Sequence, residues 1–268
     1  MPELPDVELF KRIAEQHGLG RRIARADMVD PGSLDDATPA GLQRQWHNQP
    51  LRTVRRHGKV LFLEAGDLVL AMHFGTNGSL QYLADGEAEP GSVRLWLHFA
   101  DGGRLAYLNP RRIGHVQAVR GIDAFIKETG LGPDVLEAAF DLAAFAAAID
   151  GRRQAIKPVL MDQQRMAGIG NIYADEILFQ AKLHPATPAN ALDKATARRM
   201  FQAVRSVMQT AIDCGAGAES FTDRLPKGFL LPERHAGGRC PRCGTAIQLE
   251  KRGGRTGYFC PKCQPPPD

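Results

Sequence analysis

The sequence predicts a multidomain α+β protein: a β-rich N-terminal part, a helical part and a small metal-bound hairpin. Three observations carry this reading. Apolar residues alternate with period two across residues 20–120, the period turns helical after Leu131-Gly-Pro-Asp134, and two C-x2-C knuckles lie near the end of the chain. A chain of 268 residues with 43% hydrophobic content is long enough for two modest cores. These shifts place a helix plus β-sandwich domain at 1–131, a helical domain at 132–223, and a loop and hairpin at 224–268.

Residues 2–8 read Pro-Glu-Leu-Pro-Asp-Val-Glu behind Met1. Met before a small residue is normally removed, which exposes the nitrogen of Pro2 as a secondary amine of pKa roughly 8. Such an amine attacks a sugar's aldehyde carbon to give an iminium, and Glu3 stands one residue away as an acid or base. Asp6–His17 then reads as a short helix with Val7, Phe10, Ile13 and Ala14 on one face, Asp6 as its cap and Gly18 as its stop.

Period-two texture follows. Leu61 and Leu63 alternate with Phe62 and Glu64, Leu68–Met72 is a buried-strand run, and the odd positions of Val93–Phe99 are apolar. Asp101-Gly-Gly103 turns that strand into Arg104–Leu108. The architecture expected over 20–120 is a sandwich or flattened barrel. Beyond it, Asp141–Ile149 is an alanine-rich helix. Leu192–Ile212 is a longer one with Met200, Phe201, Val204, Val207, Met208 and Ala211 as its core stripe. Residues 215–238 are loop-like.

Within the helical part, Met166-Ala-Gly-Ile-Gly-Asn-Ile-Tyr-Ala-Asp-Glu176 is the sharpest motif. Gly168 and Gly170 allow a tight turn, and Asn171 is placed to cap a helix Ile172–Gln180. A glycine turn feeding a helix start offers N–H groups to an anion such as a DNA phosphate, although a plain packing joint has the same appearance. Lys157-Pro158 places a cation just upstream and favours phosphate.

Cys240-Pro-Arg-Cys243 and Cys260-Pro-Lys-Cys263 are separated by sixteen residues, a spacing that suits one closed, structural zinc ion. Disulfides are the alternative, but the count of five is odd and the first residues lack a signal-peptide core. The intervening stretch accommodates a short hairpin turning at Gly253-Gly254, and Cys214 reads as a plain buried thiol. From Arg224 to Asp268 there are nine Lys/Arg against three Asp/Glu, while the chain totals +4, so residues 1–223 carry −2. A basic zinc module on a nearly neutral body is the footprint of a nucleic-acid binder. No apolar run approaches a membrane span, so the expected setting is soluble, reducing and cytoplasmic.

Taken together these motifs resemble the formamidopyrimidine-DNA glycosylase/endonuclease VIII family of base-excision repair enzymes. The resemblance rests on the Pro2–Glu8 opening, Lys59 in Arg-His-Gly-Lys, His73-Phe-Gly75, Asn109-Pro-Arg-Arg-Ile-Gly114, Lys157-Pro158, Gly168–Glu176, and Arg255 five residues before Cys260. It implies a β-sandwich, a helix–two-turns–helix domain and a zinc-finger β-hairpin. It also implies a bacterial, nucleoid-associated monomer that binds double-stranded DNA containing a damaged base or an abasic site. In such enzymes DNA lies in a cleft between the halves and the damaged nucleotide is flipped out. The resemblance makes Pro2 the nucleophile, Glu3 the acid that opens the sugar, and Lys59 a phosphate contact assisting proton transfer. It makes His73 and Lys157 DNA contacts, Asn171 and Arg255 a phosphate clamp, and Arg111 the reader of the orphaned base. The chemistry implied is base release followed by β,δ-elimination. A non-catalytic relative binding damaged DNA through the same surface is the alternative, which retention of Pro2-Glu3 argues against.

Some positions depart from the family pattern. Asp6 stands where glutamate is usual, Thr76 replaces a wedge methionine, and Ile113 replaces a phenylalanine. Threonine and isoleucine offer less apolar area to prop open a kinked stack. Gly215–Arg239 is shorter than the segment that covers 8-oxoguanine in the purine-specific enzymes. These departures point away from 8-oxoguanine and leave the sugar chemistry intact.

Overall fold

A computed structural model describes residues 1–252 and 254–267, so Gly253 of the expected turn and the terminal Asp268 lie outside the described residues. The chain divides into two compact units: Met1–Pro2 with Asp6–Gly130, and Glu3–Pro5 with Leu131–Asp268.

In the first unit, helix α1 (Leu4–Gly18) is followed by strand β1 (Ile23–Met28), β2 (Leu34–Asp35), helix α2 (Pro39–Trp46), β3 (Leu51–His57), β4 (Val60–Ala65) and β5 (Leu68–His73). Then come β6 (Ser79–Leu83), β7 (Val93–Phe99), β8 (Arg104–Leu108), β9 (His115–Val119) and helix α3 (Ile122–Thr129). The strands form two sheets, ordered β1-β7-β8-β6 and β2-β9-β5-β4-β3. The period-two pattern fills the space between them: Leu61, Leu63, Leu70, Met72, Leu95, Leu97, Leu105 and Tyr107 are all buried there with Trp46 of α2. Phe62 is buried as well, because the Phe125 ring of α3 covers the other face of β4 with centroids 5.5 Å apart. The sequence therefore predicts a sandwich, and one is found. Helix α1 starts two residues earlier than expected, so Asp6 lies in its first turn rather than at its cap.

The second unit contains α4 (Leu142–Ile149), α5 (Ile156–Leu160), α6 (Asn171–Gln180), α7 (Lys194–Asp213) and the hairpin β10 (Gln248–Arg252) and β11 (Arg255–Phe259). Helix α5, a pair of turns and α6 make the helix–two-turns–helix arrangement. Asp141 and Asp193 cap α4 and α7, accepting the Ala144 and Thr196 amides at 2.8 and 2.7 Å. The α7 stripe is buried as its spacing requires, with Phe201 half-buried against Phe140 and Phe145.

Helix α6 is the centre of this unit: every residue from Ile172 to Phe179 is buried, including Asp175 and Glu176. A helix without a wet face must satisfy its carboxylates internally. Glu176 accepts Gln180 Nε2 at 2.6 Å and the Leu231 amide at 2.9 Å, tying the segment that leads into the zinc module to the helix. Burial nonetheless pushes the Glu176 carboxyl up to about 7.

The folded unit thus holds a proton on Glu176 that the unfolded chain releases near 4.5, and stability falls as pH rises from about 4.5 to about 7. Glu176→Gln mimics the protonated acid. Its melting temperature relative to the unsubstituted protein should rise between pH 5 and pH 8, reflecting a penalty of up to about 3 kcal/mol. A difference independent of pH in thermal melts would refute the assignment.

Candidate active site and zinc centre

The start of α6 is occupied by the chain's own N-terminal segment. Glu3, 1% exposed, accepts the amides of Gly170 at 2.7 Å, Ile172 at 2.8 Å and Tyr173 at 3.2 Å. The Leu4 amide donates to Gly168 O at 3.1 Å, fixing the next residue too. Two expectations are corrected here. Asn171 is the first residue of the helix, not its cap, and Gly170 holds the cap position in extended backbone. These helix-start amides bind the Glu3 carboxylate rather than offering themselves to a phosphate. A Cβ at Gly170 would fall on that carboxylate, so the second glycine of the motif is required by close approach.

In the β-unit, Lys59 sits in the two-residue turn between β3 and β4. The turn is braced from below: Arg56 Nε meets Glu8 Oε2 at 2.8 Å, and its Nη1 donates to Gly58 O at 3.1 Å. His73 is the last residue of β5 rather than part of the following loop. Its Nδ1 accepts the Gly75 amide at 3.2 Å, and its ring stacks on His115 with centroids 5.4 Å apart. Burial, reinforced by His115 and Lys59, lowers its pKa to about 4. His73 is therefore a neutral ring with its proton on Nε2, a hydrogen-bond donor and not a cation.

Asn109–Gly114 forms an exposed tip on a rigid base. Asn109 is buried, its Nδ2 donates to Tyr107 Oη at 3.1 Å, and Tyr107 donates to His73 O at 2.8 Å. Gly114 packs so closely on these atoms that a Cβ there would overlap Asn109, Tyr107 and the His73 carbonyl. Arg111 is exposed, Ile113 is 55% exposed, and Arg112 adopts a left-handed φ of 54° with its Nε 3.5 Å from Asp30. Thr76 keeps its hydroxyl buried, without a partner among the described residues.

In the helical unit, Lys157, Asn171 and Arg255 line one cavity of about 170 Å³ with Met161, Glu250 and Gly257. Asn171 Nδ2 donates to Thr256 O of β11 at 2.9 Å, and Arg255 is exposed at the head of that strand. Lys157 differs from the simple reading of a presented cation: its Nζ lies 2.6 Å from Asp175 Oδ1 and its side chain is 11% exposed. Asp175 Oδ2 also takes Arg234 Nε at 2.9 Å and the Tyr258 amide at 3.1 Å. Burial raises the Asp175 pKa, and the two cations oppose the rise. Sequence reasoning passed over Asp175 and Arg234. The available signal was a pair of acids inside an otherwise apolar helix.

Cys240, Cys243, Cys260 and Cys263 bring their sulfurs within 4.8 Å of one another, with Cys240–Cys263 at 3.8 Å and Cys243 at 3.6 Å from both Cys260 and Cys263. A tetrahedron of Zn–S bonds has edges of ~3.8 Å, so the four thiolates fit one structural zinc ion and leave no open position. The module is fastened to the end of α6. Arg242 Nη1 donates to Phe179 O at 2.8 Å with its guanidinium over the Phe179 ring, and Gln264 links the Cys260 amide to Leu183 O. Cys214 is half-buried and apart from this cluster.

Metal energy at such a site is folding energy. Cys260→Ser or chelation should therefore loosen β10–β11 and expose the Tyr258 amide to exchange, while α7 stays protected. Amide hydrogen exchange with zinc quantified in parallel is the check. Full Tyr258 protection in metal-free protein would show that the hairpin stands without zinc.

Comparison with known proteins agrees along the whole chain. The family models for the formamidopyrimidine-DNA glycosylase N-terminal domain, the formamidopyrimidine-DNA glycosylase H2TH domain and the zinc finger found in FPG and IleRS match residues 1–116, 131–223 and 237–266. A formamidopyrimidine-DNA glycosylase of Streptococcus pneumoniae is 33% identical over 98% of this chain and 99% of its own. One from Acidothermus cellulolyticus is 35% identical over 100% and 98%. The Lactococcus lactis Fpg in complex with abasic-site DNA superposes with a TM-score of 0.87 at 27% identity, covering 98% of this chain and 100% of the other. The same protein with N7-benzyl-Fapy-dG DNA gives 0.88 at 27% identity over 99% and 100%. With sequence motifs, sandwich, helical unit and zinc knuckles all matching in order, the chain belongs to the formamidopyrimidine-DNA glycosylase family.

Proposed function

We propose that this protein is a DNA glycosylase with abasic-site lyase activity, acting as a bacterial cytoplasmic monomer on damaged bases in double-stranded DNA. The observation that carries the reading is Glu3. Chain termini are ordinarily loose, yet the residue directly after Pro2 is buried and held by three backbone amides. Such anchoring delivers a Pro2 amine from a fixed point, which covalent catalysis needs and DNA binding does not.

Once Met1 is removed, the Pro2 nitrogen attacks C1′ of the deoxyribose. The bond from C1′ to the base breaks, and the base leaves with that electron pair and a proton. O4′ takes a proton as the sugar ring opens, giving the iminium between Pro2 and C1′. Loss of a C2′ proton expels the 3′ phosphate, a second elimination expels the 5′ phosphate, and water releases Pro2. Glu3 protonates the ring oxygen and then stands as a negative charge beside the iminium. Both its oxygens accept amides, which fixes the carboxyl in place for that transfer.

The other residues hold the DNA. Lys59 contacts a phosphate near the lesion and assists proton transfer. His73 donates its Nε2 proton to another, and Asn171 and Arg255 clamp the phosphates flanking the flipped nucleotide. Arg111 enters the gap and reads the orphaned base from a tip whose base is rigid. The L. lactis relative is described bound to abasic-site and Fapy-containing DNA. Thr76 and Ile113 offer a kinked stack less apolar area than methionine and phenylalanine would, and the lesions proposed here are ring-opened purines and abasic sites.

Borohydride trapping on a duplex with one abasic site tests the chemistry, after intact mass shows that Met1 is gone. A covalent adduct mapping to Pro2 is expected, and Pro2→Gly should lose most strand cleavage while still binding. Normal cleavage by that variant would dismiss the nucleophile. Arg255→Ala should weaken binding to all sequences and lower the slope of log K against log salt by about 0.9, one phosphate contact. An unchanged slope would return Arg255 to the solvated surface.

A further inference from the structure

From the geometry around α6 we infer that Asp175 is a positioning residue that ties up the Lys157 ammonium at the Asn171–Arg255 cavity and so limits the positive charge this cavity presents to a DNA phosphate. The inference rests on the DNA-binding reading above. Lys157 lines the cavity, and its ammonium lies 2.6 Å from Asp175 Oδ1. The other oxygen of Asp175, Oδ2, already takes Arg234 Nε and the Tyr258 amide. The second cation is thus drawn into a buried pair where one cation and one amide are already in place.

Gly257 supplies the room. A Cβ at this position would lie 2.7 Å from Lys157 Nζ and 3.4 Å from Asp175 Oδ1. Its φ is not among the positive values, so the backbone does not call for glycine, and what the missing side chain provides is space for the ammonium. The strand carrying Gly257 is pinned on either side. Thr256 O accepts both Asn171 Nδ2 at 2.9 Å and Arg234 Nη2 at 3.3 Å, and the Tyr258 amide goes to Asp175. The carboxylate that sequesters Lys157 therefore also fixes the strand headed by Arg255. Neutralising Asp175 leaves Lys157 without its anion, and its flexible ammonium is then available to a phosphate at the cavity it lines.

The experiment measures binding to a duplex with one tetrahydrofuran abasic analogue across a salt series, using zinc-loaded protein. Asp175→Asn preserves the side-chain size and an acceptor for the Tyr258 amide. Its slope of log K against log salt should be steeper than that of the unsubstituted protein by about 0.9, one added phosphate contact. Adding Lys157→Met should cancel the increment. Gly257→Ala, which leaves Asp175 in place and crowds the ammonium, should steepen the slope in the same way, and it decides the matter if Asp175→Asn does not fold. A purely structural Asp175 would lower the melting temperature and leave the slope alone, which would overturn the inference while the DNA-binding reading stood. An increment that survives Lys157→Met would overturn it as well. If the unsubstituted protein does not bind the duplex, the functional reading fails and the inference with it.

Discussion

A helix with no wet face must find a protein partner for every polar group it carries, and that constraint on α6 organises the second unit. The amides at its start are taken by Glu3, Asp175 gathers Lys157, Arg234 and the Tyr258 amide, and Glu176 takes Gln180 and the Leu231 amide. At its end, Arg242 of the first zinc knuckle caps the Phe179 carbonyl. Each demand is met by a different stretch of chain: the N-terminus, the preceding helix, the linker and the metal module. Satisfying one buried helix thereby assembles the parts from which the proposed chemistry draws. Removing any one partner leaves an orphaned buried group, which costs about 1–3 kcal/mol, more when it is charged.

The sandwich unit solves a different problem. A tip proposed to enter a DNA stack must be exposed, yet it cannot be loose, or the entropy of ordering it is lost on every encounter. Asn109–Gly114 meets both needs by putting the rigidity one layer below the tip. Asn109, Tyr107 and the His73 carbonyl form a buried chain of hydrogen bonds, while Arg111 and Ile113 are exposed. Burial pushes the Tyr107 phenol up to about 12, so it stays a donor to the His73 carbonyl at all moderate pH values. The same chain also holds the end of β5, which presents His73.

Much of this was legible in the sequence where the signal is periodic or spaced. The alternation in Val93–Phe99 gives the sandwich, the α7 stripe gives the long helix, and the knuckle spacing gives the zinc site. What could not be read was which partner each polar group selects. Asn171 looks like a cap, but Gly170 takes that position because the Glu3 carboxylate needs the space a side chain would fill. Lys157 looks like a presented cation because its partner lies eighteen positions away on another helix. Burial of Asp175 and Glu176 was hidden for the same reason: acids in a ten-residue helix read as its solvent face until the surrounding segments are folded around it. Pairings of this kind are tertiary, and local pattern carries no term for them.

The charge of the zinc module illustrates how far composition stands from field. The segment from Arg224 onward carries +6 by count. Yet Arg234 is committed to Asp175, Arg242 packs on Phe179, and Arg224 lies over the Phe221 ring at 4.0 Å. A guanidinium held against a ring or carbonyl keeps its charge but loses the freedom to follow a phosphate, and one beside a buried carboxylate has its field largely cancelled. The cations still able to meet DNA in this module are therefore fewer than the count suggests, with Arg255 foremost among them by its place at the head of β11.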